Sequence, residues 1–558
     1  MNSSDPRENP SALDRAGWLP GRTEIIFVAA LGIVFTAVWA VALGKGVSWD
    51  QKNYHFYNVY AWLAGRMDVH VAPAGMHSWL NPLVYVPHYW LVSHAPPVVA
   101  GAIFGAVAGL NFVLIYGLVR LILRGCAPGL AMGIAFTCAA VGFSDPLFLG
   151  IIGATDVDNI VSLPVLGSLC AVCWAVQPGT TLPGQNRAYA FSGILLGVAA
   201  GLKWTSFVYA LGMSLTLVIL WSVLRLDLRR FLWFAAGGVA GFLVTGGYWS
   251  WLLWSAYRNP FFPYWNRYFR SPWAEPATFR DIRFLPQSTE DALTYPFQWF
   301  VGLHPSSEGP FRDALFAFLS VLIPLVVVTL LGQWIARRWV RSEESTAPTR
   351  LAAGKHLWFL LTFSVASYLA WIKVFSIQRY LLPLGLIAGL LLLLTLDWLI
   401  PNRVSKLAAF FFLALFCMVW MRMEAQDWRV PYGSSWFGVE LPAEAEAPGT
   451  LFIMIGEGPM GYVVPHLPES ARVIRLTPFT IPKSETKLAQ RVRERISEHS
   501  GPIRSLAMAP PTEADLSYVN RFGLALDEGD CKQFRSAVDQ FTTCRVMRLQ
   551  ASGSPVPP

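Results

Sequence analysis

Apolar and polar positions alternate along this chain in long blocks rather than residue by residue. Apolar runs of helical length occupy 24–44, 97–123, 128–143, 157–177, 188–203, 205–224, 231–256, 312–334, 356–373, 380–399 and 404–421. Such runs suit helices that cross a hydrocarbon core of roughly 30 Å. A membrane barrel would instead show short strands of alternating polarity. Around 188–224 the count turns on one charge, Lys203, so ten or twelve spans fit the same pattern. The pattern predicts a polytopic α-helical membrane protein of about eleven transmembrane helices, with a core over 24–421.

Past 422 the period changes. Thr450-Leu-Phe-Ile-Met-Ile455 reads as a buried strand, Arg472 to Leu476 as a second, and 484–498 as a polar helix. These predict a small α/β domain over 422–550. Residues 551–558 (ASGSPVPP) predict a disordered tail.

Composition agrees. Charged residues make up 14% of the 558 and apolar ones 54%, whereas soluble domains carry about 25% charged residues. The net charge of +8 does not point to nucleic acid. Arg120, Arg124, Arg187, Arg225, Arg229, Arg230, Arg337, Arg338, Arg341, Arg350, Lys355, Arg403 and Lys406 lie in short connections between apolar runs. That is the positive-inside signature of cytoplasmic loops. Eleven spans with 1–23 in the cytoplasm then put 45–96, the short 144–156 loop, 257–311 and the tail outside. Residues 1–21 are polar, and the apolar run that follows lacks a small-residue cleavage pattern, so no removable signal is expected. Five of the seven cysteines fall in or beside apolar runs, where they act as small hydrophobes. Cys531 and Cys544 stand in the tail, and an exported tail favours a disulfide between them.

Ionisable groups interrupt the pattern at a few outer helix ends. Trp49-Asp50-Gln51-Lys52-Asn53-Tyr54-His55 follows the first run, and charge at membrane depth usually faces a cavity, a partner or a substrate. One reading pairs Asp50 with Lys52 as an interfacial ion pair. The other makes Asp50 a general base whose pKa is raised by apolar walls, with Lys52 and His55 orienting it or binding phosphate. Thr155-Asp156-Val157-Asp158 supplies either a helix cap or a second acidic element facing Asp50, as acid–base partner or as ligand of a divalent cation. Lys203, Lys373 and Arg379 stand outside, against the charge rule; they either snorkel or meet an anionic ligand such as a lipid phosphate. His55, His70, His77, His88 and His94 crowd one loop, but without HxxxH or HExxH spacing, so no metal site is predicted there. P-loop and GxSxG motifs are absent.

An Asp in the first outer loop, an acidic pair in the next and amphipathic outer loops together resemble the GT-C superfamily of integral membrane glycosyltransferases. So do Arg379-Tyr-Leu-Leu-Pro383 and Asn259-Pro-Phe-Phe-Pro-Tyr-Trp-Asn266. The resemblance covers the core. It implies an inverting transfer of a sugar from a polyprenyl-phosphate donor to a glycan, lipid or protein acceptor, at the periplasmic face of a bacterial inner membrane. Asp50 would be the base, Asp156 and Asp158 would shape the acceptor or assist it, and Lys203 and Arg379 would hold the donor phosphate. Two rival classes are a transporter or flippase, which should show inverted repeats and helices broken at midplane, and a non-catalytic scaffold.

Overall fold

The computed structural model describes residues 20–339, 350–423, 428–481 and 485–549. Residues 1–19 and the predicted disordered tail lie outside the described residues. Each predicted apolar run falls on a helix. Among the described residues eight helices are long and apolar enough to cross a membrane: Arg22–Leu43, Pro97–Ile122, Asp158–Ala175, Leu228–Tyr257, Leu315–Gln333, Gly354–Val374, Gln378–Leu399 and Arg403–Trp420. Pro128–Phe143 and Trp204–Ile219 are shorter apolar helices, and Leu182–Leu202 completes the set.

Gln378–Leu399 is the axle of the bundle. Its most apolar window is 94% buried, against 22–61% for the other seven. The cause is visible in LLPLGLIAGLLLLLTL, which is apolar on every face and so has no side that prefers water. Small residues bring the outer helices close. A Cβ on Gly32 would lie 2.6 Å from the Gly109 carbonyl oxygen, and one on Gly197 would overlap that of Gly238. Backbone contact of this kind supplies the packing that lipid cannot drive by hydrophobicity.

The tail forms a five-stranded sheet of order β6-β5-β7-β9-β8. Strands β5 (Leu451–Ile455), β6 (Arg472–Leu476) and β7 (Ile503–Leu506) run parallel, and β8 (Leu524–Arg535) and β9 (Gln540–Arg548) add an antiparallel hairpin. The two predicted strands and the helix Lys487–Ser497 sit where the pattern placed them. The hairpin escaped prediction because LALDEGDCKQFR does not alternate and lies at the sheet edge. Cys531 and Cys544 are opposite one another on β8 and β9 and are bonded.

Short strands join the tail to the 45–96 and 257–311 loops. Strand β1 (Lys45–Gly46) pairs with β4 (Arg429–Val430), and β2 (Phe311–Arg312) pairs with β3 (Arg422–Met423). Val71 bridges to Ile474 of β6. The 45–96 loop therefore lies between the helix ends and the tail.

Candidate functional site: a carboxylate–guanidinium cluster at the helix ends

The Arg22–Leu43 helix stops at Gly44, whose φ of +83° and approach to the Val430 carbonyl leave no room for a side chain. After β1 the chain enters Gln51–His55, a single π-helical turn opened by Asp50. Such turns are rare and recur at functional sites. Asp50, at the head of that turn, reaches the start of the axle helix.

There Arg379 forks across two carboxylates from different loops. Its Nη2 donates to Asp50 Oδ2 at 2.9 Å and its Nη1 to Asp156 Oδ1 at 2.6 Å. Exposed Glu308 stands 4.0 Å from the same Nη2. Lys203, where Leu182–Leu202 ends, donates to Asp158 Oδ1 at 2.7 Å and lies 4.8 Å over the Tyr380 ring. His55 Nδ1 and Thr155 Oγ1 are 2.9 Å apart, and the His55 ring stacks on Tyr85. His77 stacks on Tyr54 and meets Trp49 edge-on. Only 3–16% of the side chains of Asp50, Asp156, Asp158, Lys203 and Arg379 remains exposed.

Burial pulls the two Arg379-linked carboxylates in one direction and charge in the other. For Asp50, burial favours the neutral acid, but Arg379, then His55, His77 and Lys203, overturn it and hold the carboxyl well below the usual range. The raised Asp50 pKa expected from the sequence is therefore corrected: the apolar walls exist, but a guanidinium stands against them. For Asp156 burial wins. Its carboxyl is pushed up to about 6 by desolvation, with Arg379 opposing and the neighbouring Asp50 and Asp158 reinforcing. Burial also lowers His55 well below its ordinary value, with Asp50 opposing.

Three carboxylates face two cations, and the valences are not closed. Asp156 Oδ2, Asp158 Oδ2 and Arg379 Nε are buried without a hydrogen-bond partner. A planar fork beside a second cation suits the oxygens of a phosphate, while an ionised carboxylate next to it can accept a proton.

The cluster gathers Asp50, His55, Asp156, Asp158, Lys203 and Arg379. The other two candidates sit elsewhere. Lys52 is bound to Asp539 of the tail at 2.8 Å, which corrects the predicted Asp50–Lys52 pair: residues two apart on a helical turn point to different sides. Lys373 is exposed in the last turn of Gly354–Val374, away from the cluster's contacts. Thr155 and Asp156 do not cap the helix; its N-cap is Val157, without a side-chain bond. His77, Tyr54, Tyr85 and Glu308 were not singled out by sequence reasoning. His77 had one signal, its place in a histidine-crowded loop, while the others depend on loops folding back. Among the described residues no three His, Cys, Asp or Glu side chains gather in a metal-holding arrangement.

Fold and cluster together define a multi-pass α-helical membrane protein whose ionisable groups converge where several helix ends meet. No family model matches the chain, and no curated protein matches it. It is similar to the crystal structure of ArnT from Cupriavidus metallidurans bound to undecaprenyl phosphate, at 13% identity and a TM-score of 0.49, over 96% of this chain and 100% of that one. It is also similar to ArnT of the same organism in the apo state, at 13% identity and a TM-score of 0.42, over 96% and 99%.

Proposed function

We propose that the protein is a membrane glycosyltransferase of the GT-C kind. It moves a sugar from a polyprenyl-phosphate donor to an acceptor at the periplasmic face of a bacterial inner membrane. The observation that carries this reading is the Arg379 fork, held between Asp50 and Asp156 at the mouth of the bundle.

A lipid-linked donor stays in the membrane, so its anomeric carbon lies near headgroup depth, where outer helix ends can reach it. The donor phosphate takes the guanidinium N–H groups, with Lys203 as the second cation, and so competes with the carboxylates. Asp50 then loses the charge that depresses it and becomes a better base. The acceptor hydroxyl oxygen attacks the anomeric carbon, the bond from that carbon to the phosphate oxygen breaks, and the hydroxyl proton passes to Asp50. The departing polyprenyl phosphate carries its new negative charge on the Arg379 and Lys203 donors, the electrostatic support such a step requires. Attack opposite the leaving phosphate inverts the anomeric configuration. Asp156 and Asp158 keep both cations in place before the donor arrives.

The test is direct. Purified protein in lipid vesicles is given a panel of undecaprenyl-phosphate sugars labelled in the sugar, with membrane glycans, lipids and proteins as acceptors. Label should leave the carrier and appear on one acceptor class. Movement of intact labelled lipid between leaflets, with no loss of sugar, would instead identify a flippase.

A further inference from the structure

Asp50 is gripped from both sides by residues of the tail. Upstream, Lys45 is 1% exposed, and its Nζ donates to the Ser435 and Trp436 carbonyls, while Val47 N–H donates to the Trp428 carbonyl. Downstream, Lys52 pairs with Asp539, which also accepts from the Tyr462 hydroxyl at 2.7 Å. Gly461 sits so close to the Asn53 carbonyl that a Cβ would overlap it.

The most unusual grip is Arg475. It lies among the buried Val473, Ile474 and Leu476 of strand β6, is 1% exposed, and forms no ion pair among the described residues. Its Nη1 donates to Asn53 Oδ1 at 3.0 Å and the Pro73 carbonyl at 2.9 Å; Nη2 donates to the Gly456 and Gly458 carbonyls, and Nε to Gly456. Burial pulls its pKa to about 10, which leaves it charged at neutral pH. Its direct hydrogen bonds all go to neutral acceptors, with the Glu457 charge acting only from beyond ion-pair distance; such a burial is costly, and stability is better served by an apolar residue at that position. What this guanidinium achieves is placement. One nitrogen spans the π-helical turn of Asp50 and the 73–77 loop, and Asn53 completes the link by donating to the Ala74 carbonyl. That loop carries His77, which faces Asp50.

We infer that Arg475 is a positioning residue, through which the tail domain holds the Asp50 turn and the His77 loop in register with Arg379. This inference rests on the glycosyltransferase reading for its kinetic consequence but not for its structural one. The tail is then part of the catalytic unit, and Lys52–Asp539 is its second latch.

The test uses the full chain in lipid nanodiscs, comparing wild type with Arg475→Met, Arg475→Lys and Asp539→Asn. Amide hydrogen exchange is read over 48–57, and transfer is followed with the labelled undecaprenyl-phosphate sugar that the wild type consumes. In Arg475→Met, exchange over 48–57 should rise about tenfold, as expected when a tertiary grip on a short turn is released. kcat should fall by about tenfold or more while KM for the donor moves less than about threefold, because misplacement of a base affects the reacting geometry rather than donor capture. The acid limb of the kcat/KM profile, which reports the free enzyme, should move to higher pH as Asp50 escapes Arg379, and Arg475→Lys should restore part of each change. Unchanged exchange over 48–57 with an unchanged pH profile would overturn the inference. If the wild type consumes no sugar, the functional reading fails, and the exchange data still decide the positioning role. If Arg475→Met does not fold, Asp539→Asn, which opens the second latch, carries the same readouts.

Discussion

The axle helix carries a buried ion centre at each end, and the two are built on opposite plans. Arg379 lies in its first turn and Asp397 near its last, about 27 Å apart by helical rise. At the far end Asp397 accepts Lys406 Nζ at 2.6 Å together with the Leu351 and Ala352 amides, and both side chains are at most 1% exposed. Every carboxylate oxygen there has a donor. At the near end three carboxylates share two cations, and two carboxylate oxygens and the Arg379 Nε–H are buried without a hydrogen-bond partner. A closed pair fixes structure; an open one keeps capacity for something that has yet to arrive.

This contrast can be broken experimentally. The largest effect is expected from Asp50→Asn, which should lower sugar transfer about 1000-fold with the fold retained, within the range general-base catalysis supplies. Retention of a tenth of the rate, followed with the labelled donor, would remove Asp50 from the mechanism. Arg379→Lys keeps the charge but not the fork, and should lose transfer by about 100-fold at fixed donor concentration; an unchanged donor requirement counts against phosphate binding.

At the closed end the expected damage is to stability. Lys406→Met leaves Asp397 buried without its cation and should destabilise by about 3–5 kcal/mol, read from unfolding midpoints, whereas a Lys406→Met/Asp397→Leu double variant should recover most of it. A double variant as unstable as the single one would mean that the pair holds more than itself.

The smallest effect sharpens the comparison through pH. Asp156 is an acid raised to about 6, so it takes up a proton as pH falls through 6 and stops competing with an incoming phosphate. The affinity ratio of Asp156→Asn to wild type for undecaprenyl phosphate cancels the ligand's own titration. It should be several-fold above pH 7 and approach one below pH 5. A ratio independent of pH would place the titration elsewhere.

The helical runs were legible because bilayer-length apolarity survives in local composition. Asp50, Asp156, Lys203 and Arg379 were legible because each breaks that pattern at a helix end. Their mutual contacts were not, since the Arg379–Asp50 bond joins residues 329 positions apart. The sign of the Asp50 shift was misjudged for the same reason: burial can be inferred from neighbours in sequence, but a guanidinium brought in by another helix cannot.

Lys52 makes the division sharpest. Sequence proximity placed it with Asp50, while the fold gave it to Asp539, almost the whole chain away. By itself the sequence determined that the chain forms a helical bundle of membrane-crossing length, with a small α/β tail and rare charges at its helix ends. Those properties follow from local hydrophobicity and period. Only the tertiary structure decided which charges meet, which stay open and that the tail grips the Asp50 turn, because electrostatic partners are chosen by distance in space rather than along the chain.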